Sequence, residues 1–201
     1  MRRIKRIKKT RKRNEQKIAL YREYFHLQPN QKVIMGVGLL FKRKGILDFI
    51  EVARKLPQYT FIWFGDISKL IIPAEITLAI ETAPSNCLFP GYVKGSLIEG
   101  AYQDASCFFF PSYEETEGIV VLEALASKQA VLLRDIPCYS PWLVNEKNAY
   151  LAETKEEFIN RLTQIVEKTC PDLSEEGYKV VLERQLEEIG KQLKRVYESV
   201  L

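Results

Sequence analysis

Residues 108–128 read F-F-F-P-S-Y-E-E-T-E-G-I-V-V-L-E-A-L-A-S-K. With Cys107 in front, the run Cys107-Phe108-Phe109-Phe110 has the length and composition of a buried strand, and Pro111 and Ser112 end it. A short acidic loop, Glu114-Glu115-Thr116-Glu117, leads to Gly118, which opens an apolar segment of helical character. On that helix the spacing puts Ile119, Leu122, Leu125 and Ala126 toward the core. Glu123 lies about a turn inside it among apolar neighbours, and a buried carboxylate needs a hydrogen-bond partner. The free N–H groups at the helix start favour an anion such as phosphate. Strand, glycine loop, helix start and two carboxylates eight positions apart, Glu115 and Glu123, point to a site for a phosphorylated polyol.

Outward from this stretch, apolar β-branched or aromatic segments recur at residues 32–40, 59–65, 86–90, 129–133 and 148–151, which predicts further strands. Helical spacing or charge pattern predicts helices over 14–27, 46–56, 73–82, 96–102 (with Ser96 as N-cap), 140–143 and 154–169. A long charged helix over 175–200, capped by Ser174, is interrupted only by Gly177 and Gly190. Strands alternating with helices give an α/β fold: a Rossmann-like, doubly wound parallel sheet with helices on both faces. Ligands of such sheets bind outside the carboxyl ends of the strands. The segments Phe41 to Gly45, Gly65-Asp66, Gly91 to Lys94 and Glu115 to Gly118 each follow such an end.

The net charge of +4 conceals an asymmetry. Residues 1–17 carry ten of the 30 Lys/Arg and only Glu15 of the 26 acidic residues, so the rest has 20 basic and 25 acidic residues and a net charge of −5. The basic character belongs to an arm, fitted to an anionic membrane surface through residues 2–17 or to solvent. Nucleic acid is not expected as a partner, because no aromatic interleaving or nucleic-acid motif accompanies the arm. No apolar run reaches the ~20 residues of a membrane span, and a cytoplasmic protein is expected. Cys87, Cys107, Cys138 and Cys170 form no C-x-x-C pair, so reduced thiols are expected, and the single His26 supports no metal cluster.

Lys42, Arg43 and Lys44 before Gly45 make a cationic loop suited either to a diphosphate or to solvent. It is not a G-x-x-x-x-G-K-[ST] loop, and no strand end carries G-x-G-x-x-G. Glu115 and Glu123 are readable as acid and base or as hydroxyl acceptors; one before and one behind the helix start suits gripping a single extended ligand.

Taken in order, Gly36-Val37-Gly38 with Lys44-Gly45, then Phe64-Gly65, Phe89-Pro90-Gly91-Tyr92-Val93, and Pro111-Ser112 through Glu115 and Gly118 to Glu123 and Ala126 resemble the E-x7-E pattern of the group 1 retaining glycosyltransferases of the GT-B fold. The resemblance spans residues 32–151, and G-V-G-L-L-F-K-R-K-G-I-L-D-F-I at 36–50 is similar to bacterial diacylglycerol glucosyltransferases. It implies one half of a GT-B enzyme: a carboxy-terminal domain at 29–201 that binds a nucleotide-sugar donor, expected to be UDP-glucose. Residues 1–28, the arm and lead-in helix, would join it to an amino-terminal acceptor domain. By the same resemblance Lys44, with Gly38 and Arg43, would meet the donor phosphates, and Glu115 the hydroxyls of the transferred sugar. The amides of Gly118, Ile119 and Val120 would face sugar and diphosphate, Glu123 the ribose, and Gly91, Tyr92 and Val93 the base. Glu115 and Lys44 are thus the catalytic expectation, for hexose transfer with retention to an acceptor such as diacylglycerol at the inner face of the cell membrane. No metal or cofactor is implied. Leu39 stands where many members have arginine, and Arg43 is the expected substitute. The other reading is a non-catalytic α/β interaction module whose basic arm binds membrane or nucleic acid.

Overall fold

The computed structural model describes residues 13–68 and 71–200. The basic arm before residue 13 lies outside the described residues. Among the described residues, six strands form one sheet in the order β3-β2-β1-β4-β5-β6, every neighbouring pair parallel: β1 (Val33–Val37), β2 (Thr60–Phe64), β3 (Cys87–Gly91), β4 (Cys107–Phe110), β5 (Val131–Arg134) and β6 (Tyr150–Ala152). The chain winds outward from β1 to β3, returns to β4 beside β1, and winds outward again. The order therefore reverses between β1 and β4, which makes their carboxyl ends the switch point where such sheets bind ligands. β1 and β4 pair only through Ile34–Cys107 and Met35–Phe108, whereas β1 and β2 stay in register from Val33–Thr60 to Val37–Phe64.

The alternating side chains of β4 divide the core between two helical layers. Phe109 stacks on Phe49 of α2 (Ile46–Lys55), ring centroids 5.6 Å apart, and meets Phe158 of α6 (Lys155–Val166) at 5.0 Å. Phe108 faces the other way, onto Tyr102 of α4 (Ser96–Asp104) at 6.1 Å. Between these helices in sequence lie α3 (Ala74–Glu81), packed against α2, and α5 (Ile119–Ala126), which follows β4. α1 (Glu15–Tyr24) packs against α4, where Arg22 pairs with Asp104 at 2.6 Å and Asn14 N donates to Gln103 Oε1 at 2.7 Å.

Several local expectations change. Gly95, at φ 69°, is the N-cap of α4 in place of Ser96. On α5 the core face is Val121, Ala124, Leu125 and Ala126, while Ile119 is 41% exposed. That first turn follows the carboxyl end of β4, an interior strand. Residues 137–142 form successive turns in place of the helix expected over 140–143. The long terminal helix is two, α7 (Ser174–Glu183) and α8 (Leu186–Val200), parted at Arg184–Gln185 rather than at a glycine. Ser174 is the first residue of α7 and Leu173 its cap. Gly177 lies inside α7 where the helix crosses α5, and the crossing is close: a Cβ there would lie 2.6 Å from Leu125 Cδ2 and 2.9 Å from Asn148 O. Among the described residues, no helix is long and apolar enough to cross a membrane.

Candidate functional site

The loops after β1 and β4 close on one another. Lys42–Lys44 is a single 3-10 turn, and Gly45 follows it in the left-handed region at φ 75°. A Cβ on Gly45 would stand 2.1 Å from Pro111 O, so only glycine lets the two backbones approach this closely. The approach brings Lys44 Nζ to 2.5 Å from Glu115 Oε1, with side chains only 13% and 8% exposed. The Ser112 hydroxyl lies 2.9 Å from the same Glu115 oxygen, 3.0 Å from Arg43 O and 3.1 Å from Glu114 O, three acceptors for one proton. Tyr113 N donates to Arg43 O at 2.8 Å. Beneath Lys44 lies the Phe110 ring, its centroid 5.7 Å away. A largely buried cation thus faces a largely buried carboxylate.

The start of α5 borders this pair. Gly118 caps it at φ 68°, and the ring of Tyr139 packs so closely that an added Cβ would be 2.9 Å from it. Trp142 meets Tyr139 edge-on at 5.7 Å and carries the guanidinium of Arg184 at 4.6 Å from its centroid. The Tyr139 hydroxyl is buried with no hydrogen-bond partner among the described residues; burial, then the Glu115 charge, pushes its pKa up. The Cys138 thiol is pushed up by the same two causes in the same order. One turn into α5, Glu123 Oε2 accepts from Tyr102 OH at 3.1 Å, supplying the partner that its half-buried place demands.

The glycines at the other strand ends form a row. Gly38 N donates to Phe64 O and Gly65 N to Gly91 O, each at 2.9 Å, so Gly38, Gly65 and Gly91 stand side by side. Beyond Gly91, Tyr92 is 71% exposed and Val93 half-buried. Leu39 is 45% exposed, and Arg43 is exposed beside Phe41 with no ion pair to a carboxylate among the described residues. The fold therefore sets Gly38, Arg43, Lys44, Glu115 and Gly118 around the switch point. Glu123 is tied to α4, and Gly91 to Val93 sit two strands away. Glu115 is held by Lys44 and Ser112 and Glu123 by Tyr102, so the two carboxylates are set by different neighbours. Sequence reasoning passed over Ser112, Tyr102 and Tyr139: each has an unremarkable local pattern and acquires its role from a distant contact.

The family model for glycosyl transferases group 1 matches residues 17–180. The chain is 49% identical over 187 residues to the processive diacylglycerol alpha-glucosyltransferase of Acholeplasma laidlawii, covering 93% of this chain and 56% of that protein. It is 35% identical over 128 residues to the alpha-galactosylglucosyldiacylglycerol synthase of Streptococcus pneumoniae, 62% of this chain and 34% of that one. It thus spans about half or less of the length of these relatives. Its fold is shared with Anabaena HepE, whose crystal structure is a complex with UDP-glucose, at a TM-score of 0.79 and 17% identity over 95% of this chain and 55% of that one. A crystal structure of the C-terminal domain of a glycosyl transferase group 1 family protein, LpcC, from Francisella tularensis also superposes, at a TM-score of 0.69 and 24% identity over 87% of this chain and 95% of that one.

Proposed function

The chain belongs to the group 1 glycosyl transferases, and from that membership we propose that it binds the nucleotide-sugar donor, UDP-glucose, for transfer of the hexose to a diacylglycerol-type lipid. The observation that carries this reading is the Lys44–Glu115 pair at the switch point, beside the start of α5. In the proposed complex the donor diphosphate takes Glu115's place as partner of Lys44, and Arg43 adds its charge. The freed Glu115 accepts from hydroxyls of the sugar. The amides of Ile119 and Val120 at the α5 start face the same phosphates, and Glu123 accepts from the ribose while the base lies toward Gly91, Tyr92 and Val93. As the sugar–phosphate bond breaks, negative charge grows on the leaving diphosphate, and a fixed cation and helix start stabilise it more than they stabilise the bound donor. Lys44 and the helix supply that charge, so no metal or other cofactor is part of the proposal. The acceptor is held by a further domain corresponding to the length of the relatives that this chain does not span. Residues 2–17 draw the protein to the anionic inner face of the cell membrane.

A thermal-shift panel of UDP, GDP and ADP sugars tests the reading. UDP-glucose is expected to raise the melting temperature; no shift with any member would end it. For the arm, vesicles of anionic lipid should retain the chain at low salt and lose it when residues 2–12 are deleted, and undiminished retention would remove that part.

A further inference from the structure

The loop that carries Glu115 leaves β4 and has no regular hydrogen-bond ladder, so other bonds must fix its path. They converge on Asp48 and Arg134, two residues outside the set around the switch point. Asp48 lies in the first turn of α2 and is 7% exposed. Its Oδ2 accepts from Tyr113 OH and from Arg134 Nη2, both at 2.6 Å. Arg134, the last residue of β5, also donates from Nε to Pro111 O at 3.1 Å and from Nη1 to Glu153 O at 2.6 Å. Its guanidinium lies 3.9 Å from the Tyr113 ring centroid. One planar fork therefore holds the start of the loop, the adjacent tyrosine and the helix that the Lys44 turn leads into. A buried ion pair of this kind contributes little net stability over apolar packing. Its evident product is geometry, and a displacement of about 1 Å at a reacting group can cost on the order of a hundredfold in rate.

We propose that Asp48, Arg134 and Tyr113 form a latch that sets Glu115 at the donor sugar, which makes them positioning residues for sugar recognition. This rests on the reading of Glu115 as the acceptor for sugar hydroxyls. Because the latch acts through Glu115, its loss falls on the sugar and spares the nucleotide. Lysine in place of Arg134 keeps the charge and loses the fork.

The test is calorimetric titration of the chain with UDP-glucose and with UDP, for the wild type, Tyr113→Phe and Arg134→Lys, with the melting temperature of each. Tyr113→Phe keeps the ring under Arg134 and removes only the hydroxyl, so it is the variant least disposed to unfold. Both variants are expected to bind UDP-glucose at least fivefold more weakly while UDP changes less than twofold. Equal weakening of the two ligands, or no weakening of either, would make the trio a structural clamp and overturn the proposal. A wild type that binds neither ligand would instead overturn the donor reading itself, before any variant is compared.

Discussion

Lys44 Nζ and Glu115 Oε1 meet at 2.5 Å across 71 positions of sequence, the loops after β1 and β4 each supplying one partner. With side chains 13% and 8% exposed, neither charge has much water to fall back on. Removing one partner leaves the other largely buried and unpaired. Lys44→Met or Glu115→Gln alone should therefore destabilise by about 2–4 kcal/mol, toward the lower end of the range for buried pairs because Lys44 keeps some solvent. The double variant should cost clearly less than the two singles added. Urea unfolding of the four proteins measures this, and simple additivity would mean that the pair does not form.

Gly45 is the hinge of the same approach. Alanine there meets Pro111 O, a backbone atom that cannot swing aside, and must also hold φ near 75°. Gly45→Ala should cost about 2–4 kcal/mol and lower the melting temperature accordingly. Gly118→Ala, which meets the ring of Tyr139 at 2.9 Å, should cost less, because a ring edge can shift. The reverse order in thermal denaturation would contradict the packing described.

Much of this is legible in the sequence alone. The run Cys107 to Phe110 declared itself a buried strand, and its alternating rings are what join the two helical layers. Glu123 asked for a partner and has Tyr102. What stayed hidden is long-range. Ser112 looks like a strand terminator, yet it bonds to Glu115 and to Arg43 O because two loops from distant parts of the chain are pressed together. Arg134 looks like a turn residue, and its fork is visible only once β5 lies beside β4. The core face of α5 differs from the one its spacing predicts: Val121 and Ala124 are buried beside Leu125 and Ala126, while Leu122 is half-buried and Ile119, at the start of the helix, is 41% exposed.

Glu157 completes a capping box on α6: Thr154 Oγ1 accepts from Glu157 N, while Glu157 Oε2 accepts from Glu153 N at 2.7 Å and Thr154 N at 3.2 Å. These backbone donors hold its carboxyl below the ordinary value of 4.5. A carboxyl lowered by folding contributes stability that is complete above its ordinary value and is lost as pH falls through the folded one. Glu157→Gln should therefore lie below the wild type at neutral pH and converge on it as pH drops below 4.5. Urea midpoints across that range check the sign; a constant gap would deny the shift.

The cysteines should separate by burial. Cys87 is pushed up to about 12, chiefly by desolvation, and Cys107 is pushed up further for the same reason. Only thiolates alkylate, so both should stay silent to iodoacetamide at pH 8 while the chain is folded. The half-buried Cys138 and Cys170 should react first, and peptide mapping of the alkylated protein would show a different order if β3 and β4 were not packed as described.

The central claim is that Glu115 and Glu123 grip one nucleotide-sugar donor at the switch point. Titrating UDP-glucose calorimetrically into the wild type, Glu115→Gln and Glu123→Gln tests it most directly. The wild type should bind, and each variant should bind about tenfold more weakly or worse, as expected for losing a hydrogen bond to a charged group. Equal affinity in all three proteins, or no binding by the wild type, would contradict it.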